Sequence, residues 1–526
     1  MNPQFNLLDQ PWIPCVQANG NMVELSLPDT LVQAQDLREI CAETPLITAS
    51  LLRLLLAILH RVFGPTDTDV WIDEVWELQH FNRQLLDNYF YQWHGRFNLF
   101  DPKYPFYQTA NPPKSLDLKS VNKLTPELAA GNNATLFDHT TDDDTMNFSS
   151  KEAAQRLITA QTFAVGGGQS GIPKRNFRDA PHTKGILFLL EGDNLFETLS
   201  LNLVAYNNTE PLPISGDDAP AWEMDNPHKP DRHIPYGYLD YLTWQSRIIK
   251  LVPEERNGQI VVNQMYFSQG LWLDPPIHSP MHSLRKSEQH GYTPLRFSEH
   301  KALWRDSSSL LNLNRKEDDP IEPPPIFEWV AEIGELSSDK LYRFGAIGLK
   351  TDDRQAAAIH FHQYERLPLP LELLRDEDLL EYLRESLGMA EKISNLLYGV
   401  TWELVGHWVK PISSEENKKE SKIDKTNNDY KNIFARLDPR RRYWARLEVP
   451  FRQFIQSLPI NPEAAQSEWQ TTVINTARTA FDQATASIDD PIRGLKAVVL
   501  ARRSLEWGLG RYTQEETISN QLNQED

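Results

Sequence analysis

Four of the chain's glycines fall within six positions, Gly166-Gly167-Gly168-Gln169-Ser170-Gly171, and a basic run of Lys174, Arg175 and Arg178 follows them. Glycine has no Cβ, so its backbone N–H groups can approach a ligand as closely as side chains normally forbid. The chain as a whole is acidic, with a formal net charge of −20. A positive cluster beside a glycine loop in such a chain points to an anionic partner, phosphate or nucleic acid.

A second basic cluster runs from Lys431 to Arg446, where Arg436, Arg440, Arg441, Arg442 and Arg446 face only Asp438, with Tyr443 and Trp444 interleaved. Arginine next to aromatic rings suits contact with a phosphate backbone and stacking on bases. The same residues also fit a solvated helix face.

Two nucleotide motifs come close to matching. Gly166-x-Gly168-x-x-Gly171 has the spacing of the dinucleotide fingerprint, and Glu191 lies 20 residues beyond it. That fingerprint needs a helix opening at its last glycines, whereas Pro173 and Pro181 bracket a stretch without helical periodicity. Gly166 and Gly171 also have P-loop spacing, but Ile172 stands where the phosphate-gripping lysine belongs. Three readings stay open at this level: a nucleic-acid contact, a nucleotide-dependent enzyme using the glycine loop, and a protein-interaction scaffold without nucleic-acid contact.

Other chemistry is sparse. His278 with His282, and His360 with His362, could start a metal site, but no cysteine is near and no H-E-x-x-H pattern occurs. No His-Asp dipeptide and no G-x-S-x-G elbow is present. The expectation is a protein that is not an enzyme and needs no cofactor or metal.

The elements that must position the glycine loop can be read from patterning. Trp12–Val16 and Met22–Leu25 flank Asn19-Gly20, a hairpin signal. Helical periodicity covers Leu46–Phe63, about Trp76–Phe90, Ser150–Gln161 and Asn194–Val204, with strands at Gly185–Leu190, 241–273 (including Leu271-Trp272-Leu273) and Tyr342–Leu349. Leu46–Phe63 carries Arg53 and His60, so it reads as a core helix rather than a membrane span. The first residues lack a basic start and apolar run, and only Cys15 and Cys41 occur, so a cytoplasmic protein without a disulfide framework is expected. At 526 residues, two or three domains are expected. Beyond Leu367-Pro368-Leu369-Pro370, four long helical patterns near 373–409, 432–457, 462–487 and 491–507 favour an antiparallel bundle. The expected domains are 1–370 and 371–526.

Read in order, several segments resemble one family, the large subunit (CasA family) of the type I-E CRISPR Cascade surveillance complex. They are Asn6-Leu7-Leu8-Asp9-Gln10-Pro11-Trp12-Ile13-Pro14, Phe97-x-Leu99-Phe100-x-Pro102-x-x-Pro105-Phe106-x-Gln108, Gly166-Gly167-Gly168, Leu242-Thr243-Trp244-Gln245-Ser246-Arg247 and Leu303-Trp304-Arg305-Asp306, with the helical C-terminal part. Together they span nearly the whole chain in the family's order. The resemblance implies an α+β fold, a large mixed α/β N-terminal domain followed by a C-terminal antiparallel four-helix bundle.

It also implies a function. The family's subunit recognises the protospacer-adjacent motif (PAM) in double-stranded DNA, promotes opening of the duplex for guide-RNA pairing, and recruits the helicase–nuclease. The implied partners are the other Cascade subunits, the guide CRISPR RNA, target DNA and that nuclease, with no membrane. By resemblance, Gly166, Gly167 and Gly168 approach the minor groove beside the PAM, a groove about 6 Å wide that bare backbone can enter. A strand-separating wedge maps onto Gln355, flanked by Arg354 and Ala356, and the aromatic anchor of a guide-RNA loop (128–150) maps onto Phe137. Lys174, Arg175, Arg178, Arg440, Arg441 and Arg442 are the candidate DNA-backbone contacts. Two departures stand out: Asn263 occupies the place of a PAM-reading lysine of some relatives, and their cysteine-rich zinc insertion is missing.

Overall fold

The computed structural model describes residues 3–125, 146–168, 176–288, 291–316, 319–337, 340–351, 359–409, 425–488 and 492–522. The fold is α+β and forms two compact units, Met1–Leu374 and Arg375–Asp526. The first mixes sheets and helices, and the second is a helical bundle.

The first unit opens with the hairpin β1 (Ile13–Gln17) and β2 (Met22–Leu25), to which β3 (Leu37–Ile40) adds on the β1 side. Gly20 takes φ +87° in the turn, a conformation that glycine adopts without a Cβ clash. Helix α1 (Pro45–Val62) starts where Thr44 Oγ1 accepts from the Ile47 N–H, with proline at the first helical position. Its composition and length would allow a membrane crossing, but 78% of it is buried inside the unit. The buried Arg53 guanidinium donates to the carbonyls of Tyr241 and Leu242. Helix α2 (Arg83–Trp93) is shorter than the expected 76–90 helix: Ile72–Trp76 forms a π-turn, and Asn82 caps a new helix through the Gln84 and Leu85 N–H groups. The Asn82 side chain competes with a continuous helix for backbone donors.

Two segments far apart in sequence close on each other here. Asn6 and Asn98 form an isolated antiparallel bridge, and Leu7 N–H and Leu99 N–H donate to Phe97 and Phe5 carbonyls. Phe97 and Phe106 stack at 5.2 Å, while Gln108 donates to Leu99 O and accepts from Leu251 N–H. The aromatic loop is therefore core, not surface.

Helix α3 (Ser150–Phe163) opens on a reciprocal capping box between Ser149 and Glu152 and packs on α1, buried along its length. Strand β8 (Gln259–Gln269) is the spine of a sheet with β4 (Leu118–Ser120), β5 (Phe148–Ser149) and β7 (Arg247–Arg256). Between β7 and β8, Asn257 and Gly258 take φ +53° and +79°, the two-residue turn whose twist matches antiparallel strands. Leu271-Trp272-Leu273, expected as a strand, is not one. Gly270 and Leu271 N–H groups bond back to Ser246 and Gln245 carbonyls, and Trp272 stacks on His233.

A third sheet places β12 (Tyr342–Thr351) between β6 (Leu187–Glu191) and β13 (Ile359–Leu369), all antiparallel. Helix α4 (Leu195–Leu201) follows β6, capped by Asn194. A small sheet orders β10 (Gly291–Pro294), β9 (Leu284–Ser287) and β11 (Ile321–Glu322), and α5 (Pro325–Glu332) follows it.

The second unit consists of α6 (Glu377–Val409), α7 (Asn428–Leu437), α8 (Arg440–Ser457), α9 (Pro462–Thr485) and α10 (Arg493–Leu522). The pattern expected as one helix over 432–457 is two, split at Asp438-Pro439. Asp438 is pushed to ψ 111° because the proline ring disfavours helical backbone in the residue before it. Helices α7 and α8 act as one arm, so the unit keeps the plan of an antiparallel four-helix bundle. Phe454 stacks on Trp469 and Trp402 on Phe434 in its core.

Candidate nucleic-acid interface

The glycine segment leaves the C-terminal end of α3 and returns to it. The outgoing limb is Ala164–Gly168 and the return limb Phe177–Thr183. Gly167 N–H donates to Phe177 O at 3.0 Å, Phe177 N–H to Gly168 O at 3.2 Å, and Ala180 N–H to Ala164 O at 2.9 Å. Asp179 Oδ1 accepts from Gly166 N–H at 2.7 Å, and its Oδ2 pairs with Lys184 Nζ at 2.6 Å.

The three glycines have different physical reasons to be glycine. A Cβ on Gly166 would meet Phe177 O at 2.9 Å and Asp179 N at 3.0 Å, so Gly166 is set by close approach of the limbs. Gly167 has φ +108° and Gly168 φ +74°, backbone that side chains rarely adopt. Among the described residues, nothing lies within 4 Å of where a Cβ on Gly168 would sit. The root of the loop is closed and its Gly168 end is open.

Arg247, fully buried, holds the root together. Its Nη2 donates to Ala164 O (3.0 Å) and Val165 O (3.0 Å) on one limb and to Arg178 O (2.8 Å) on the other. Its Nη1 donates to Ser246 O at 2.9 Å. Burial lowers the Arg247 pKa to about 10, with the Asp179 charge opposing, so the guanidinium stays charged at neutral pH. Gln161 on α3 reads the Arg247 backbone from both sides, accepting from its N–H at 2.8 Å and donating to its carbonyl at 3.0 Å. Gln269 at the end of β8 accepts from Arg178 N–H at 2.7 Å and donates to Ser246 O. Phe177 packs against Phe267 of the same strand.

Of the basic residues expected beside the loop, Arg178 is exposed on the return limb. Lys174 and Arg175 lie outside the described residues, as do the anchor Phe137 and the wedge residues Arg354, Gln355 and Ala356. Strands β12 and β13, which flank the wedge segment, pair without a break from Tyr342↔Leu369 to Lys350↔Phe361. Asn263 lies on β8, the strand that buttresses the loop, at the point where its pairing with β7 shifts register and passes it over.

In the bundle, the arginine cluster divides. Arg440 is tied to Asp438 by a bidentate ion pair (Nη2–Oδ2 2.7 Å) and lies over the Tyr398 ring at 4.6 Å. Arg441, Arg442 and Arg446 are exposed. Tyr443, which the sequence paired with them as a stacking ring, is fully buried and donates to Ala390 O at 2.9 Å. Trp444 donates to Ser394 Oγ. Tyr443 belongs to the core and Trp444 is half-buried, so the exposed groups of the cluster are the guanidiniums.

His282 is also interior: its Nε2 meets His182 Nδ1 at 2.7 Å, and burial lowers its pKa to about 3. His278 is partly exposed, and His362 is exposed on β13.

Sequence reasoning assigned no role to Arg247, Gln161, Gln269 or Asp179. Arg247 had two visible signals, its place in the resemblance segment Leu242–Arg247 and its charge ahead of Ile248-Ile249. Nothing local marked Gln161.

This architecture has known counterparts. The family model described as CRISPR-associated protein Cse1 matches residues 6–480. A CRISPR-associated protein CasA/Cse1 from Thermus thermophilus is 31% identical, over 97% of this chain and 98% of that protein. The chain belongs to the Cse1 family. The crystal structure of Cse1 from Acidimicrobium ferrooxidans superimposes with a TM-score of 0.83 at 26% identity, covering 98% of this chain and 99% of that one. A chain of a CRISPR RNA-guided surveillance complex shares the fold at a TM-score of 0.72 and 20% identity, covering 96% and 99%. Membership in the Cse1 family thus extends over both units.

Proposed function

We propose that the chain is the non-catalytic DNA-recognition subunit of a type I-E CRISPR Cascade complex. In this reading it recognises the PAM in duplex DNA, promotes opening of the duplex for guide-RNA pairing, and recruits a helicase–nuclease. Its partners are the other Cascade subunits and the guide RNA. Gly166, Gly167 and Gly168 present backbone to the minor groove, Gln355 with Arg354 and Ala356 separates the first pair, and Phe137 anchors the guide-RNA loop. Arg178, Lys174 and Arg175 in the first unit and Arg441 and Arg442 in the second contact phosphates, with Arg440 contributing less because Asp438 neutralises it.

The observation that carries the reading is the contrast within the glycine loop. Its root is held by a buried guanidinium, while Gly168 is exposed and nothing among the described residues stands where its Cβ would be. A rigid root with a bare, side-chain-free end is what insertion into a narrow groove requires. Among described residues 176–186 no helix opens after the loop, so the helix N-terminus that would hold a dinucleotide's phosphates is lacking there.

The test is Gly168→Asp in the assembled complex, with Gly168→Asn as its neutral twin. Both side chains tolerate the left-handed backbone and find space. The carboxylate should lower affinity for PAM-bearing duplex by about tenfold or more through phosphate repulsion, with Asn between Asp and the parent. Complex assembly should be unchanged. Parent-like binding by Gly168→Asp would remove the loop from DNA contact.

A further inference from the structure

A cavity of about 340 Å³ lies between α5 and the chain around Val204–Pro211, on the far side of the small sheet's β11. Its charged lining is almost wholly anionic: Glu210, Glu322, Glu328 and Glu332, with His278 at half exposure. Glu322 is already paired, with Arg315. Glu210, Glu328 and Glu332 have no described cation within ion-pair distance. Glu328 and Glu332 sit one turn apart on α5, a spacing at which like charges repel. Partial desolvation, and after it the charge of Glu332, holds the Glu328 carboxyl above its ordinary range, with the Arg315 charge opposing.

Two buried side chains complete the wall. Trp329 is 8% exposed and contributes its indole ring. His282 is 1% exposed, with Nε2 engaged by His182 and Nδ1 without a partner. In the tautomer that donates from Nε2 to His182, that Nδ1 is an acceptor. The cavity therefore offers carboxylates and an aromatic wall, with an imidazole acceptor in that tautomer of His282, which together suit an organic cation.

A metal ion does not fit this lining, since no three of the described His, Cys, Asp or Glu side chains come together as ligands. An extended ammonium or guanidinium group bridges carboxylates too far apart for one ion. The space also exceeds the ~30 Å³ that a single water occupies. Nucleic-acid phosphates would be repelled.

We propose that this cavity receives an arginine or lysine side chain presented by a protein partner. The site is a second interaction surface of the first unit, opposite in charge to the DNA-facing arginines. It rests on the assembly reading above only in requiring a protein partner. The occupant's cation neutralises Glu328 and Glu332 together.

The experiment has two arms. In the first, agmatine, which carries both a guanidinium and an ammonium, is titrated into the isolated chain while hydrogen exchange is followed across 322–332. Protection in the parent that is lost in Glu328→Gln/Glu332→Gln is the expected result, and no protection overturns the site. In the second, Glu328→Lys/Glu332→Lys is built into the purified complex and release of the chain is timed. Both glutamates are exposed, so the fold should tolerate the change. A rise in release rate of about tenfold, at unchanged melting temperature, is expected for a lost buried charge pair. Agmatine protection with an unchanged release rate overturns the protein partner and assigns the cavity to a free amine. PAM dependence of the parent complex, measured alongside, reports separately on the DNA-recognition reading.

Discussion

The glycine-loop root and the arginine strip of the bundle both present positive charge, yet they use it in opposite ways. At the root, the key cation, Arg247, is fully buried and spends its donors on four backbone carbonyls. What faces outward is backbone. On α8, Arg441 and Arg442 face outward, Tyr443 beside them faces in and Trp444 is half-buried. The first is a shape held by charge, and the second is charge held on a shape. A buried cation without a full set of acceptors is costly, so the root tolerates little change. An exposed guanidinium is solvated and tolerates much.

The widest separation between the two units should come with acid. His60 and His282 are buried and neutral, with pKa values lowered to about 3 by burial. The unfolded chain binds a proton at each below about pH 6.5, so unfolded protein holds more protons and stability falls as pH drops from 6.5. At pH 5 each histidine removes up to about 2 kcal/mol. Hydrogen exchange at pH 7 and 5, corrected for intrinsic rates, should show α1 and β6 loosening while α8 and α9 hold. Equal protection of α1 at both values would contradict this.

Arg247→Met comes next. It leaves the carbonyls of Val165 and Arg178 without their donor, while Ala164 O keeps the Ala180 N–H, and about 3 kcal/mol or more of stability should be lost. Urea unfolding checks it, against a change within about 0.5 kcal/mol for Arg442→Met. Gly166→Ala should cost about 1–3 kcal/mol, because its Cβ meets Phe177 O at 2.9 Å. Gly168→Ala should cost about 1 kcal/mol from left-handed backbone alone. A larger loss at Gly168 than at Gly166 would reverse the closed-root, open-end assignment.

The smallest effect on stability, and the most specific to DNA, belongs to Arg441→Ala/Arg442→Ala. The slope of log affinity against log salt should fall by about 2, roughly 0.9 for each phosphate that is no longer neutralised. Adding Arg440→Ala should change the slope less than either partner, because Asp438 already neutralises it. An unaltered slope for the double variant makes the strip a solvated face.

Much of the architecture was legible. Asn19-Gly20 marked the first hairpin, and periodicity over Ser150–Gln161 marked α3. Both signals act through neighbours within a few residues. The misreadings were also local. Asn82 restarted a helix that periodicity alone ran through, and Pro439 cut one that looked continuous. Arg440 and Tyr443 illustrate a different limit. The residue types suggested one outward strip, but helical geometry turned Tyr443 into the core and a neighbouring carboxylate claimed Arg440.

The sequence alone determined where backbone could be bare, because only glycine supplies that freedom and three glycines stand in a row at 166–168. It could not say what gives that bareness a shape. Arg247 lies 83 residues from Ala164 and 69 from Arg178, and Gln161 is bonded to it across 86. No propensity or spacing rule links positions so far apart. Only the packing of α3 against the β7 end of the sheet brings them within hydrogen-bond range, and burial then makes losing any one of these bonds costly.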